Sequence, residues 1–247
     1  MSQTVQRAIT ILELIAERPR TPAEVGEQLG IHRTTGLRLL QTLQDGGLVR
    51  RQPDGTFGVG FRLTGLAQLA LDQFDIAAVA HPHLLQLKET CGHTVHLAAL
   101  EGNAMVYVDK VEPVNTVRMH SQIGHQVCLH TAGVSKAILA FLPAGRLDLV
   151  LDGHDFARHT ETTITSVAAF RQELDEVRMR GWAADNAEFE DYVNCIAAPV
   201  RGAGSGVVAA VSVTALRARA DLQALKDLLP ALQETTYKIS SELGWRP

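Results

Sequence analysis

The sequence has only three cysteines, Cys91, Cys128 and Cys195. An odd and widely spaced set of this kind offers no disulfide framework of the sort that staples small secreted folds. It also lacks any apolar run approaching the roughly 20 residues that cross a bilayer, and has no basic N-terminal segment leading into an apolar core. These absences predict a soluble chain in a reducing cytoplasm, with no membrane partner. Nor is there an excess of positive charge: 23 Lys and Arg against 27 Asp and Glu leave a net charge of −4. That excludes a protein coated in nucleic acid and confines any such contact to a local patch. A phosphate-cradling loop is missing too, because Gly202-Ala203-Gly204-Ser205-Gly206 lacks the lysine, precedes a strand rather than a helix, and reads as a turn between two strands. No nucleophile elbow or other catalytic motif is present. What is present is bulk: 247 residues, 46% of them hydrophobic, supply cores for two domains.

The stretch from Thr21 to Leu40 reads as two short helices joined by a tight turn. Thr21 suits the N-cap of the first, Pro22 its first position, and Glu24 the carboxylate of a capping box. Gly30 is placed to end it in a left-handed conformation, and Leu37, Leu40 and Leu43 then recur at helical spacing. The second helix opens with His32, Arg33, Thr34 and Thr35, with Arg38 one turn on. Short hydroxyls and cations opposite an apolar stripe suit the major groove of double-stranded DNA. Gly46-Gly47 closes this helix, and residues 48–51 and 56–59 pair as a hairpin around Pro53-Asp54-Gly55, the wing of a winged helix-turn-helix. Arg50 and Arg51 sit on that wing. Over residues 31–62 five arginines, Arg62 among them, stand against Asp45 and Asp54, a local charge of +3 that suits phosphates. Ahead of the motif, Val5, Ala8, Ile9, Leu12 and Ile15 predict a third helix packed beneath it.

This DNA-binding domain is assigned to residues 1–62, a helical linker to 63–77, and a second domain to 78–247. A helical pattern through Leu66, Leu69, Ile76, Val79, Leu84 and Leu87 runs to Cys91, with Pro82 expected to interrupt or kink it. Such a linker offers either a dimer surface or a face packed on its own chain. Past Gly92 the texture turns to strands at 94–100 and 104–109 around a Gly102-Asn103 turn, and later at 195–200 and 207–214. Helical runs are expected at 133–141, 167–180 and 220–243. An α+β domain with an antiparallel sheet accounts for this order.

In this order of elements the chain resembles the IclR (isocitrate lyase regulator) family of bacterial transcriptional regulators. The likeness is carried by Arg7-Ala8 to Leu12, Thr34-Thr35 with Arg38-Leu39-Leu40, Leu48 to Arg51, Thr94 to Leu97, Val106 to Asp109, His130 to Ala140, and Cys195 to Pro199. The resemblance implies a GAF-like C-terminal domain that binds a small effector, a carboxylate or an aromatic metabolite. It also implies homodimers or tetramers that control nearby catabolic or transport genes, without cofactor or metal. In family members that take a small keto acid, two loop amides, an aspartate, a cysteine and two strand hydroxyls form the pocket. The matching positions are Gly133 and Val134, Asp185, Cys195, and Ser212 with Thr214. Free N–H groups where a helix begins attract a carboxylate, and hydroxyls two apart on a strand share a face. Val95, Leu97, Val106 and Met119 are candidates for an apolar lining. Two departures stand out: Ser135 occupies a position where many relatives have glycine, and Gly36 lies inside the recognition helix, where it costs about 1 kcal/mol relative to alanine.

Each pocket residue also has a plainer reading, Cys195 as a small buried hydrophobe, Ser212 and Thr214 as strand residues, Asp185 as a turn residue. Two clusters, Cys91 to His96 and His125 to His130, are rich in metal-ligand types, but neither has a recognised zinc spacing. Strand alternation would put Cys128 and His130 on one face. The alternative is therefore a metabolite-converting or zinc-binding enzyme that uses its winged helix for protein contact.

Overall fold

Helix starts and stops follow the local chemistry of the chain. The computed structural model describes residues 2–71, 75–114 and 121–247, apart from the side chains of 67–71. It divides into two units, residues 1–74 and 75–247.

The first unit runs α1 (Gln3–Glu17), α2 (Pro22–Gln28), α3 (Arg33–Asp45), β1 (Val49–Arg51), β2 (Phe57–Val59) and α4 (Phe61–Leu71). The capping box at Thr21 and Glu24 is present in both directions, and Gly30 adopts φ +62° after α2. Gly47, at φ +72°, turns the chain out of α3 into the antiparallel pair β1 and β2. Phe57 of β2 also exchanges backbone hydrogen bonds with Arg20, which ties the wing to the start of α2. The core is Ile11, Ile15, Val25, Leu40, Leu43, Val49 and Phe57. Val5 and Ile9, expected on the inward face of α1, are exposed. Ile9 lies about 100° round the helix from Ala8, so Ile11 and Ile15, with Ala8 and Leu12 beside them, make the buried stripe instead.

Gly36 has a packing reason. A Cβ there would lie 3.2 Å from the Pro22 carbonyl oxygen, and one on Gly26 would lie 2.9 Å from the Ile31 carbonyl oxygen. The two glycines let the backbones of α2 and α3 approach closely, which offsets the helix-propensity cost at Gly36. Gly26→Ala is expected to destabilise this unit by about 1–3 kcal/mol, because backbone rather than a flexible side chain must yield. A denaturant melt followed by circular dichroism, with an unchanged first transition counting against the tight crossing, checks this.

The helical pattern expected from residue 64 to 91, with its interruption or kink at Pro82, falls in two helices that part before residue 76 and not at Pro82. Asp75 accepts hydrogen bonds from the Ala77 and Ala78 N–H groups and so caps a new helix, α5 (Ile76–Cys91). Pro82 sits inside α5 without ending it, since burial of Ala80, Leu84 and Leu87 holds the helix on its neighbours. Residues 72–74 of the assigned linker and the Leu69 side chain lie outside the described residues.

After α5 come β3 (Thr94–Glu101), β4 (Ala104–Val111), α6 (Gly133–Leu139), α7 (Ala144–Leu151), α8 (Val167–Arg180), β5 (Ala183–Asn186), β6 (Val193–Arg201), β7 (Val207–Leu216), α9 (Leu222–Lys226) and α10 (Leu229–Glu242). The five strands form one antiparallel sheet in the order β4-β3-β7-β6-β5. The expected turns at Gly102 and at residues 202–206 are both hairpin connections. The structure adds α7 and β5 to the expected elements, and the helix expected over 220–243 breaks in two, with Pro230 in the first turn of α10.

Helices cover both faces of the sheet. On one face α5 and α10 pack on Val95, Leu97, Ile196, Val211 and Val213. On the other, α6 and α8 pack over small residues, Ala98, Ala183, Ala197 and Ala210. Every residue of α6 is buried. The alanines beneath it let its first turn come down onto the sheet.

Candidate functional site

In the first unit the candidate recognition face is α3 and the wing. His32 is the N-cap of α3: its Nδ1 accepts the Thr34 N–H at 3.4 Å and lies 2.9 Å from Thr34 Oγ1. His32 and Thr34 therefore form one pre-set corner rather than two independent contacts. Arg33, Thr34 and Arg38 are exposed and Thr35 is half-buried. Among the described residues neither Arg33 nor Arg38 pairs with a carboxylate, in contrast to Arg18 with Glu24 and Arg20 with Glu17. On the wing, Arg50 stacks over Phe61 at 5.3 Å and Arg51 over Phe57 at 6.0 Å. Such stacking orients a guanidinium without neutralising it. The tip is fixed by Asp54, whose Oδ1 accepts both the N–H and the hydroxyl of Thr56. Those bonds hold its carboxyl below the usual range. Arg62 points back into its own unit, where its guanidinium donates to the Gly46 carbonyl at 2.8 Å and closes the C-terminus of α3. The cations presented by this face are thus Arg33, Arg38, Arg50 and Arg51.

In the second unit a cavity of about 280 Å³ opens between the first turn of α6 and the sheet. Gly133, Val134, Asp185, Cys195, Ser212 and Thr214 all line it. Sheet register explains the gathering: Asp185 on β5 lies beside Cys195 on β6, which lies beside Thr214 on β7, while Ser212 lies beside His96 on β3. Gly133 is there because nothing larger fits, since a Cβ would stand 2.7 Å from Cys195 Sγ and 3.3 Å from the Ala197 Cβ.

Burial shifts three of the titratable groups that line the cavity toward their uncharged forms. Burial pushes Asp185 up to about 7, although Lys136 and the Glu188 N–H pull the other way. Burial, then the nearby Asp185, pushes the Cys195 thiol up to about 12. His96 is held down at about 3 by burial and then by Lys110. It stands within 2.7 Å of Ser121 Oγ and 3.3 Å of Thr214 Oγ1, not against Cys195. A thiol pushed up this far stays protonated at neutral pH and is a poor nucleophile. Beneath the cavity Lys136 and Glu188 form a buried ion pair at 2.6 Å.

Sequence reasoning missed several lining residues, among them His96, Tyr107, Thr131 and Phe189. Thr131 is informative, since its hydroxyl is buried without a hydrogen-bond partner among the described residues. The expected apolar lining is corrected: Val95 and Leu97 face the opposite core, because strand alternation turns Thr94, His96 and Ala98 toward the α6 face. Val106 does not line the cavity and Met119 lies outside the described residues. Ser135, noted as a departure, is buried and donates to the Cys128 carbonyl at 3.0 Å, tying the preceding loop to α6. Residues 125–130 form a loop, not a strand, with one bridge from Gln126 to Val106. Cys128 and His130 nevertheless come together there.

The raised Asp185 has a measurable consequence. Its folded-state value lies above the ordinary 3.8. The folded state therefore holds this proton more tightly, and its contribution to stability is lost as pH rises from about 4 to about 7. Asp185→Asn keeps the shape and removes the titration. Its Tm relative to the unsubstituted protein is expected to climb between pH 5 and pH 8; a constant difference across that range would contradict an Asp185 that folds protonated.

Comparison with known proteins agrees with this architecture. The IclR helix-turn-helix domain model matches residues 4–53, and the bacterial transcriptional regulator IclR C-terminal model matches residues 68–241. The chain is 30% identical to the HTH-type transcriptional regulator XynR of Escherichia coli, covering 98% of each chain. It is 32% identical to the DNA-binding transcriptional repressor YiaJ of Escherichia coli, covering 99% of this chain and 89% of that one. Among solved structures, an IclR transcriptional regulator from Silicibacter sp. TM1040 superposes with a TM-score of 0.84 at 26% identity, covering 99% of this chain and 97% of that one. Both halves of the chain are thus matched, the winged helix-turn-helix that presents the arginines and the second domain that holds the cavity. The chain belongs to the IclR family and is a DNA-binding transcriptional regulator rather than an enzyme.

Proposed function

We propose that the chain is a cytoplasmic repressor of a neighbouring catabolic or transport operon, released or retained on DNA by a small organic acid or aromatic metabolite. In this reading residues 1–62 form the DNA-binding domain, 63–77 the linker and 78–247 the effector-binding and oligomerisation domain. His32, Arg33, Thr34, Thr35 and Arg38 meet the major groove, and Arg50 and Arg51 meet the backbone. The effector occupies the cavity, with its carboxylate at the Gly133 and Val134 amides and its body near Asp185, Cys195, Ser212 and Thr214. The observation that carries this reading is the Thr131 hydroxyl, buried and unpartnered on the wall that also holds those residues. A buried polar group without a partner is costly, and a polar ligand in the cavity would satisfy it.

Self-association as a homodimer or tetramer is part of the proposal. It is supported by Val5 and Ile9 on α1 and Phe61 and Leu66 on α4, which are among the large apolar side chains that the first unit leaves exposed. Two-fold pairing would present two recognition helices to two half-sites. The test is a gel-shift titration on the DNA upstream of the protein's own gene and adjacent operon, with and without a panel of small organic acids. Specific retardation altered by one acid is expected; no specific retardation in any condition would overturn the reading.

A further inference from the structure

Beside the effector cavity, and apart from the reading just given, a thiol and three imidazoles converge from two loops. Cys128 and His130 lie in the loop before α6, and His154 and His159 in the long connection between α7 and α8. Cys128 Sγ is 3.5 Å from His130 Nδ1, and one donor atom from each of Cys128, His130 and His159 lies within 4.8 Å of the other two. His130 is buried, Cys128 half-buried and His159 exposed, so the cluster has one side open to solvent.

The tautomer of the central imidazole is fixed from outside the cluster. His130 Nε2 lies 3.0 Å from the Ala157 carbonyl oxygen and donates to it, which leaves Nδ1 as the acceptor, facing His154 Nε2 at 2.9 Å and Cys128 Sγ at 3.5 Å. A backbone carbonyl on the far nitrogen is the usual means of orienting a metal-ligating histidine. Cys128 is held in turn by the Ser135 hydroxyl on its carbonyl. Phe156 packs its ring 5.2 Å from His130 and 4.9 Å from His154, walling one side with carbon. Metal–nitrogen bonds of about 2.0 Å and metal–sulfur bonds of about 2.3 Å at a tetrahedral centre set sulfur and nitrogen about 3.6 Å apart. The Cys128–His130 separation of 3.5 Å already matches that edge.

We infer that Cys128, His130 and His159 form a binding site for a divalent cation that favours thiolate and imidazole, of the Zn²⁺ class. Binding releases the Cys128 thiol proton and uses the lone pair that His130 already offers. Water fills the fourth position. His154 Nε2, 2.9 Å from His130 Nδ1, occupies that lone pair in the metal-free protein and yields it on binding. Because Cys128 also lines the effector cavity, the metal would clamp the loop after α7 to the cavity wall.

The test is a titration of the full chain with Co²⁺ alone, under reducing conditions, followed by optical absorption. Expected are visible ligand-field bands of tetrahedral intensity and a near-ultraviolet thiolate-to-cobalt band, saturating at one ion per chain and abolished by Zn²⁺, which such sites hold more tightly. Cys128→Ser should remove the near-ultraviolet band, and His159→Ala, on an exposed side chain, should weaken Co²⁺ binding at least about tenfold, since one of three ligands is lost. Cys91→Ser serves as the thiol control and should leave both features intact. Absence of a saturable band, or an identical spectrum from Cys128→Ser, would overturn the site and leave the cluster as hydrogen-bonded aromatic packing.

Discussion

Arg38→Ala is expected to weaken specific operator binding by about tenfold to a hundredfold at fixed salt, the loss that follows one missing base-edge contact. Arg38 is exposed one turn beyond Thr34 on α3 and has no carboxylate partner among the described residues. Its guanidinium is therefore available to a guanine edge or a phosphate without first breaking an ion pair. Arg33, the first residue of α3, is assigned to the same groove, and Arg33→Ala should likewise weaken specific binding. Arg51→Ala, on the wing, should instead weaken specific and non-specific DNA alike and lower the salt slope by about one counterion. The contrast between Arg38→Ala and Arg51→Ala separates base reading from phosphate contact. If neither Arg33→Ala nor Arg38→Ala changes affinity in a gel-shift or anisotropy titration, α3 is not the element that reads DNA.

Gly133→Ala is expected to abolish the response to effector while leaving DNA binding in place. The added Cβ would stand 2.7 Å from Cys195 Sγ, inside any normal carbon–sulfur contact. Neither side can retreat freely: Cys195 is in the middle of β6, paired on both edges, and α6 is buried along its whole length. The helix start or the thiol must shift, and both line the cavity. Overpacking of this kind costs about 1–3 kcal/mol, tolerable for a domain with two cores but not for a pocket whose donors are placed to tenths of an ångström. Adding Cys195→Ala removes the sulfur and should restore part of the effector response. Effector titration of the three variants, read as a change in DNA affinity, checks this; an unimpaired Gly133→Ala would mean that the ligand sits elsewhere.

Local chemistry made much of the fold legible. The Thr21–Glu24 capping box, Gly30, Gly47 and the Asp54-Gly55 turn each determine backbone geometry through a few atoms, so the winged helix could be read residue by residue. The six pocket residues were legible only through family resemblance, since no spacing links Gly133 to Thr214; the sheet register supplies the link. The face of β3 was not legible, because helices cover both sides of the sheet. Both rows of the strand are then buried, and the usual contrast between polar and apolar positions disappears. Thr94 and His96 sit in a buried row without any polar signature of exposure. Pro82 does not end α5 for a related reason, as the burial of the helix outweighed one missing hydrogen bond. His159 could not be joined to Cys128 and His130 from sequence, because the long connection that carries it back is irregular.

The most direct test of effector control is the affinity of the effector for the free protein and for the same protein saturated with operator DNA, measured by calorimetry or fluorescence under one buffer. Linkage requires that an effector which changes DNA affinity be bound with a correspondingly different affinity in the two states. A difference of about tenfold or more, equal in size to the effector-induced change in DNA affinity, is the expected result. Equal effector affinities for free and DNA-bound protein would contradict control of DNA binding through this cavity.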